Sequence, residues 1–249
     1  MLQPAWILSH TTHPGNVGSA ARAIKTMGFS QLILVNPKDP MVKDSSEAIA
    51  LASGAGDILQ NMLISPTLAK ACANYSLVFG LSARDREFGP PSISLQDACG
   101  LAKQAIQTDQ ACAFLFGTER TGLDNEELQY CTHRVKIDAN PSYSSINLAQ
   151  AVMITAYEMR RNLPDITSSE TLKPLAKRAK LEAIESAMVH LQEGLIAIEF
   201  LDPKHPKKLL ERLRAIFDRA GLQEEEVDLL RGIAKQMLRK PSREWIDLN

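Results

Sequence analysis

Ala5-Trp6-Ile7-Leu8, then the Ala-rich stretch from Ser19 to Met27, then Gln31-Leu32-Ile33-Leu34-Val35, decide the fold class of this chain. The first and third segments are short apolar runs bounded by polar, turn-forming residues, the pattern of strands buried on both faces. Ser9 to Asn16 reads as a loop. From Ser19 apolar residues recur at helical spacing, and Gly28 marks a stop because glycine accepts the left-handed conformation in which helices end. Asn36-Pro37 closes the second run. Strand, helix, strand predicts a parallel pair.

Outward from this unit the alternation continues. Ser45 to Ala52 is helical, Ser76-Leu77-Val78-Phe79-Gly80-Leu81 is an apolar strand, and a helix runs from about Leu95 to Thr108. Ala111-Cys112-Ala113-Phe114-Leu115-Phe116 is the strongest strand, and Arg134-Val135-Lys136-Ile137 a further short one. From Ile146 to Leu163, Ala149, Val152, Met153, Ala156 and Tyr157 share one helical face. The class is α/β, with a mainly parallel sheet covered by helices on both faces. Leu163-Pro164-Asp165 breaks the last helix, and polar residues from Thr167 to Thr171 read as a linker. Beyond them only helical periodicity remains, over 175–200, 206–220 and Val227 to Met237. The expected organisation is an α/β domain over 1–163, a linker over 164–172 and a small all-helical extension over 173–249.

Composition excludes several classes. With 45% hydrophobic and 23% charged residues, the chain is neither disordered nor fibrous. The net charge of −1 gives no global attraction to nucleic acid, so any such surface is local. Lys173, Lys177, Arg178 and Lys180 form one basic group. Lys204, Lys207, Lys208, Arg212, Arg214 and Arg219 form another, opposed only by Glu211 and Asp218. Such runs suit a solvated helix face or a phosphate-binding surface. Cys72, Cys99, Cys112 and Cys131 lack any CxxC pair and read as reduced, buried thiols. His10, His13, His133, His190 and His205 have no metal-ligand spacing, and no metal is expected. No run approaches the roughly 18 apolar residues of a membrane span, and no leader is visible, so a cytoplasmic protein is expected.

Three glycine-containing stretches follow strands, where ligands bind in open parallel sheets. The first, His13-Pro14-Gly15-Asn16-Val17-Gly18-Ser19-Ala20-Ala21-Arg22, is neither a dinucleotide fingerprint nor a P-loop. Arg22 falls in the first helical turns, either as a surface residue or facing a phosphate together with free backbone N–H groups. The second, Phe116-Gly117-Thr118-Glu119-Arg120-Thr121-Gly122-Leu123, holds a Glu-Arg pair that suits a loop salt bridge or a site. In the third, Asn140-Pro141-Ser142-Tyr143-Ser144-Ser145-Ile146-Asn147, Ser144 or Ser145 is placed to cap the next helix.

Taken together and in this order, the three stretches resemble the three motifs of the SPOUT methyltransferases. The residues that carry the likeness are Asn16, Gly18 and Arg22, then Gly117, Glu119, Gly122 and Leu123, then Ser144, Ser145 and Asn147. The likeness is closest to the members that methylate the ribose 2′-hydroxyl of nucleotide 32, cytidine or uridine, in the tRNA anticodon loop. It covers residues 1–163 closely and the helical extension loosely. It implies a trefoil knot at the C-terminal end of the α/β domain, which packing rules alone would not suggest. It further implies S-adenosyl-L-methionine as donor, gripped by Leu81, Ser82, Ala83, Gly117, Ile137, Ser144, Ser145 and Ile146. Arg22, Asn16, Glu119, Ser145 and Asn147 become the candidate catalytic set. Since an arginine keeps its proton, with a pKa above about 12, phosphate anchoring and charge stabilisation suit Arg22 better than a base role. Arg84, Lys207, Lys208 and Arg212 become candidate tRNA contacts, and a homodimer is implied. The competing readings are an rRNA ribose methyltransferase with the same core and a non-catalytic, cofactor-binding RNA chaperone.

Overall fold

The computed structural model describes residues 2–83, 89–163 and 178–239. In chain order the first half contains β1 (Ala5–Ser9), α1 (Pro14–Thr26), β2 (Leu32–Val35), α2 (Ser46–Ala52), α3 (Gly56–Asn61), β3 (Leu63–Ser65) and α4 (Leu68–Cys72). There follow β4 (Leu77–Leu81), β5 (Ser92–Ser94), α5 (Leu95–Gln107), β6 (Cys112–Phe116), α6 (Asn125–Leu128), β7 (His133–Lys136) and α7 (Leu148–Asn162). The extension supplies α8 (Leu181–Ala197), α9 (Leu209–Ala220) and α10 (Glu224–Met237).

Among the described residues the seven strands form one sheet, in the order β3-β2-β1-β6-β4-β7-β5, and every pairing is parallel. β6 lies between β1 and β4, so the chain returns to the middle of the sheet after building material on both sides of it. Parallel pairing puts every carboxyl end at the same edge. The loops after β1, β4, β6 and β7 therefore converge there.

The period of two along each strand sorts the side chains between two cores. Trp6, Leu8, Leu32, Leu34, Phe79, Phe114 and Phe116 enter one, under the alanine-rich faces of α1, α5 and α7. Large sheet side chains fill what small helix side chains leave open: Trp6 stacks on Phe114 at 5.2 Å, and Phe79 on Phe114 at 5.2 Å. Ala5, Ile7, Ile33, Val35, Val78, Ala113 and Leu115 enter the other core, with α4, the α6 region and Leu181 at the start of α8. The extension thus contributes to the second face of the sheet. Its own interior comprises Ala179, Ile184, Ala187, Leu222 and Val227, and a second group around Leu191, Leu195, Leu201 and Ala234.

α1 corrects the sequence reading, since it starts at Pro14 and not at Ser19. Proline suits the first helical position, where its missing N–H is not needed. Gly15 and Gly18 lie inside the helix because they touch α2, and a Cβ on Gly18 would stand 2.1 Å from the Ala48 carbonyl oxygen. Gly28 does follow the helix with a φ of +82°. α3, β3, α4, β5 and α6, of three to six residues each, are too short to show periodicity and were not read from the sequence. The expected linker over 164–172 lies outside the described residues. No helix among the described residues is long and apolar enough to cross a membrane.

Candidate active site

α1 begins without a side-chain cap of its own, because His13 at the N-cap position makes no such bond. Glu119, 107 residues beyond Thr12 in the chain, instead holds the residues that lead into the helix, from the loop after β6. Its carboxylate accepts from the Thr12 backbone N–H at 3.1 Å, the Thr12 hydroxyl at 2.8 Å and the His13 N–H at 3.2 Å. It also accepts from the Asn16 amide at 3.2 Å. Partial burial pushes the carboxyl upward, but these donors and Glu119's own N–H outweigh it, and the pKa falls below the ordinary carboxylate value. The positive end of the α1 dipole favours the same ionised state.

The chain of bonds continues to the third stretch. Asn147 donates from its amide to Asn16 Oδ1 at 3.2 Å, while its own Oδ1 caps α7 by accepting from the N–H groups of Ala149 at 2.9 Å and Gln150 at 3.3 Å. Neither Ser144 nor Ser145 is the cap; asparagine holds the first-turn N–H groups instead. Glu119, Asn16 and Asn147 thus tie the three stretches together, with the Asn16 amide orientation fixed from both sides.

Beside this chain is a cleft of about 260 Å³, lined by Leu81, Ser82, Ala83, Gly117, Ile137, Ser144, Ser145 and Ile146. Phe116, Val135 and Leu148 add apolar surface, and the loop from Thr118 to Gly122 forms a rim. That rim is rigid. The Thr118 and Thr121 hydroxyls are 2.7 Å apart, and Gly122 N–H donates to the Thr118 carbonyl at 2.9 Å. Gly117 is required by sterics, since a Cβ there would lie 2.2 Å from the Gly122 carbonyl carbon, and Gly122 itself has a φ of +66°. The Glu119-Arg120 pair is not a loop salt bridge, because the carboxylate is turned to α1.

The sequence-predicted residues are not all brought together. Ser144 and Ser145 are on the cleft wall, exposed. Arg22 is exposed on the third turn of α1, about 12 Å along the axis from its start, and does not line the cleft. Glu119 holds the start of the helix, so the pairing of Arg22 with free first-turn N–H groups at one phosphate is not what the structure shows. Arg84, Lys173 and Lys177 lie outside the described residues. Lys207, Lys208 and Arg212 are exposed around the start of α9, away from the cleft. Arg214 does not belong to that basic surface. It is buried and bonded to Glu185, to Asp218 at 3.0 Å and to the Gln129 carbonyl, which removes one charge of each sign and leaves the local basic excess unchanged. The contact of Thr12 with Glu119 and the burial of Arg214 against Glu185 and Gln129 were not legible, because those partners lie 107, 29 and 85 residues away, where no local pattern signals them.

Other reactive groups are inert. Cys72, Cys99, Cys112 and Cys131 are free and buried; burial pushes the first three thiols to about 12 and Cys131 well above its ordinary value. Burial, with the nearby Arg178 charge, lowers His133 to about 4. The described residues contain no group of three His, Cys, Asp or Glu placed to hold a metal. A larger cleft of about 790 Å³ lies between the two parts of the chain, lined by Gln129, Glu185, Met188, Lys208 and Arg214 among others. The strand ends converge on the smaller one.

An all-parallel sheet whose three loops meet in this way defines a class. Residues 5–157 match the model of the SpoU rRNA Methylase family, and the chain belongs to that family. Residues 182–245 match the model described as tRNA methyltransferase TrmJ, C-terminal domain. The chain is similar to the tRNA (cytidine/uridine-2′-O-)-methyltransferase TrmJ of Escherichia coli K12, with 44% identity across 91% of this chain and 92% of that protein. Among solved structures it resembles TrmJ from Z. mobilis ZM4, with a TM-score of 0.80 and 28% identity, covering 95% of this chain and 100% of that one. It also resembles a probable methyltransferase from Bordetella pertussis Tohama I, with a TM-score of 0.62 and 45% identity, covering 66% of this chain and 97% of that one.

Proposed function

We propose that this protein transfers a methyl group from S-adenosyl-L-methionine to the ribose 2′-hydroxyl of nucleotide 32 in the tRNA anticodon loop. The observation that carries this reading is the bonded chain Asn147, Asn16, Glu119, which draws the three loops together beside a cleft at the carboxyl ends of the strands. The name of the E. coli relative, a tRNA (cytidine/uridine-2′-O-)-methyltransferase, supports the substrate, as does the match of residues 182–245 to a domain of tRNA methyltransferases. That second match favours tRNA over rRNA.

The cleft fits the donor. Phe116, Val135, Ile137 and Leu148 offer apolar contact to an adenine, while the hydroxyls of Ser82, Ser144 and Ser145 and the loop backbone offer polar contact. When bound, the donor supplies a methyl group already activated by a sulfonium. The protein's task is then to position the ribose and to stabilise the charge that develops on its oxygen. Asn16, locked by Glu119 and Asn147, orients the ribose. Arg22, whose exposed guanidinium pairs with no described residue, anchors a phosphate and stabilises the oxyanion as the hydroxyl proton leaves to solvent. Ser145 completes the polar wall.

The accompanying organisation is a methyltransferase domain over 1–163, a linker over 164–172 and a tRNA-binding helical domain over 173–249, acting in the cytoplasm. Lys207, Lys208 and Arg212 hold tRNA phosphates, and Arg84 is a further contact. A homodimer is also part of the reading. Ile154 and Tyr157 on α7 and Ile49 and Leu51 on α2 are exposed apolar residues on the two helices that flank α1, a surface suited to a second copy. Light scattering at micromolar concentration giving a monomer would reject that part. The function is tested by mass-spectrometric mapping of 2′-O-methyl groups in tRNA from cells with and without the protein. Loss confined to nucleotide 32 is expected, and an unchanged map would reject the assignment.

A further inference from the structure

The rim of the cleft carries a charge that the chemistry above leaves unused. Glu119 and Arg120 are the charged residues lining the cleft among the described residues, and the Glu119 carboxylate is spent on Thr12, His13 and Asn16. Arg120 is exposed and has no recorded hydrogen bond or ion pair with a described residue. Its backbone is held at the tip of the turn closed by the Thr118 and Gly122 pairing, with Thr121 N–H donating to the Thr118 hydroxyl at 3.2 Å. The residue before it fastens this turn to α1, the helix that displays Arg22. The fold therefore keeps two guanidinium groups, neither paired with a described residue, on two elements clamped to each other.

We infer that Arg120 is a substrate-binding residue whose guanidinium pairs with a phosphate of the RNA beside the acceptor ribose. The inference rests on the proposed function. An oxyanion facing Arg120 has two sources, an RNA phosphate or the carboxylate of the methyl donor. Position selects the first: Arg120 stands exposed on the rim, which a polymer crosses, whereas a small ligand within the cleft meets the serine hydroxyls and the loop backbone. Arginine matches a phosphate with two parallel N–H donors, which a lysine ammonium does not reproduce.

The test compares wild type, Arg120→Ala and Arg120→Lys in tRNA methylation kinetics across a salt series, with S-adenosyl-L-methionine binding measured separately by calorimetry without RNA. For Arg120→Ala we expect KM for tRNA to rise about tenfold with kcat within about twofold, and the salt slope to fall by about one, as for one lost phosphate contact. Donor affinity stays at the wild-type value, and Arg120→Lys recovers part of the KM. An unchanged KM and slope overturn the inference, as does weakened donor binding, which would make the contact a carboxylate one. Failure of the wild type to methylate nucleotide 32 would instead strike the proposed function, so the two failures are distinguishable.

Discussion

Replacing Arg214 by methionine tests whether a buried ion network fixes the helical extension to the α/β domain. Arg214 is 9% exposed, and its Nε donates to Asp218 at 3.0 Å, while its two terminal nitrogens reach Glu185 and the Gln129 carbonyl. Burial works against the guanidinium charge, but Asp218 and Glu185 outweigh it and raise its pKa. Burial lifts the Asp218 carboxyl to about 6 in spite of Arg214. Methionine keeps much of the volume and removes the charge, leaving Asp218 buried without its cation and Gln129 without its donor. Breaking a buried pair from one side costs about 3–5 kcal/mol. Glu185 is 42% exposed and regains water, so its share is small. The lower end, about 3 kcal/mol at pH 8, is expected.

The same reasoning sets a pH dependence. Without Arg214 the folded pKa of Asp218 rises further above its unfolded value of 3.8. The folded state then binds a proton that the unfolded state does not, so stability is lost as pH climbs through that window. The destabilisation is therefore larger at pH 8 than at pH 5.5, where Asp218 escapes by protonation. Urea unfolding of both proteins at the two pH values, followed by circular dichroism, measures it. Arg214→Met/Asp218→Leu removes both charges and should recover at least half of the loss. A loss below about 1 kcal/mol at pH 8, or an equal loss at both pH values, would refute the argument.

Arg22→Ala should fold normally and bind the donor, as expected of an exposed residue outside the cleft, while losing methyl transfer; near-normal turnover would reject its role. Glu119→Ala should lose about 1–2 kcal/mol in chemical denaturation, because the donors of Thr12, His13 and Asn16 lose their shared acceptor, together with turnover as Asn16 loosens; a change in neither would contradict the clamp. Charge reversal at Lys207, Lys208 and Arg212 should weaken tRNA binding and flatten its salt dependence, with donor binding untouched, as read by filter binding across a salt series. His133, lowered to about 4 against 6.5 unfolded, leaves stability full above pH 6.5 and withdraws about 3 kcal/mol as pH falls towards 4. Asp218 acts oppositely in that range, so the measurement is the difference between wild type and His133→Asn, which should show a flatter acid limb.

The sequence by itself determined the α/β class, because Ala5 to Leu8, Leu32 to Val35 and Ala111 to Phe116 are short, apolar at every position and alternate with helical segments, which suits a sheet covered on both faces. It also determined the long helices and the three motif stretches, whose residue types are constrained by local geometry. Strand order was not legible, since nothing in the run after Ala111 states that it inserts between β1 and β4. Nor was the start of α1, because the carboxylate that holds Thr12, His13 and Asn16 at its entry is about a hundred residues away. Composition placed Arg214 among the solvent-facing cations, and only the packing of α9 against α8 and the Gln129 carbonyl showed it buried. Periodicity and turn chemistry act over a few residues and can be read along the chain. Hydrogen bonds such as those of Glu119 with Thr12 and Asn16 join distant segments, and their partners exist only once the sheet has brought the loops to one edge.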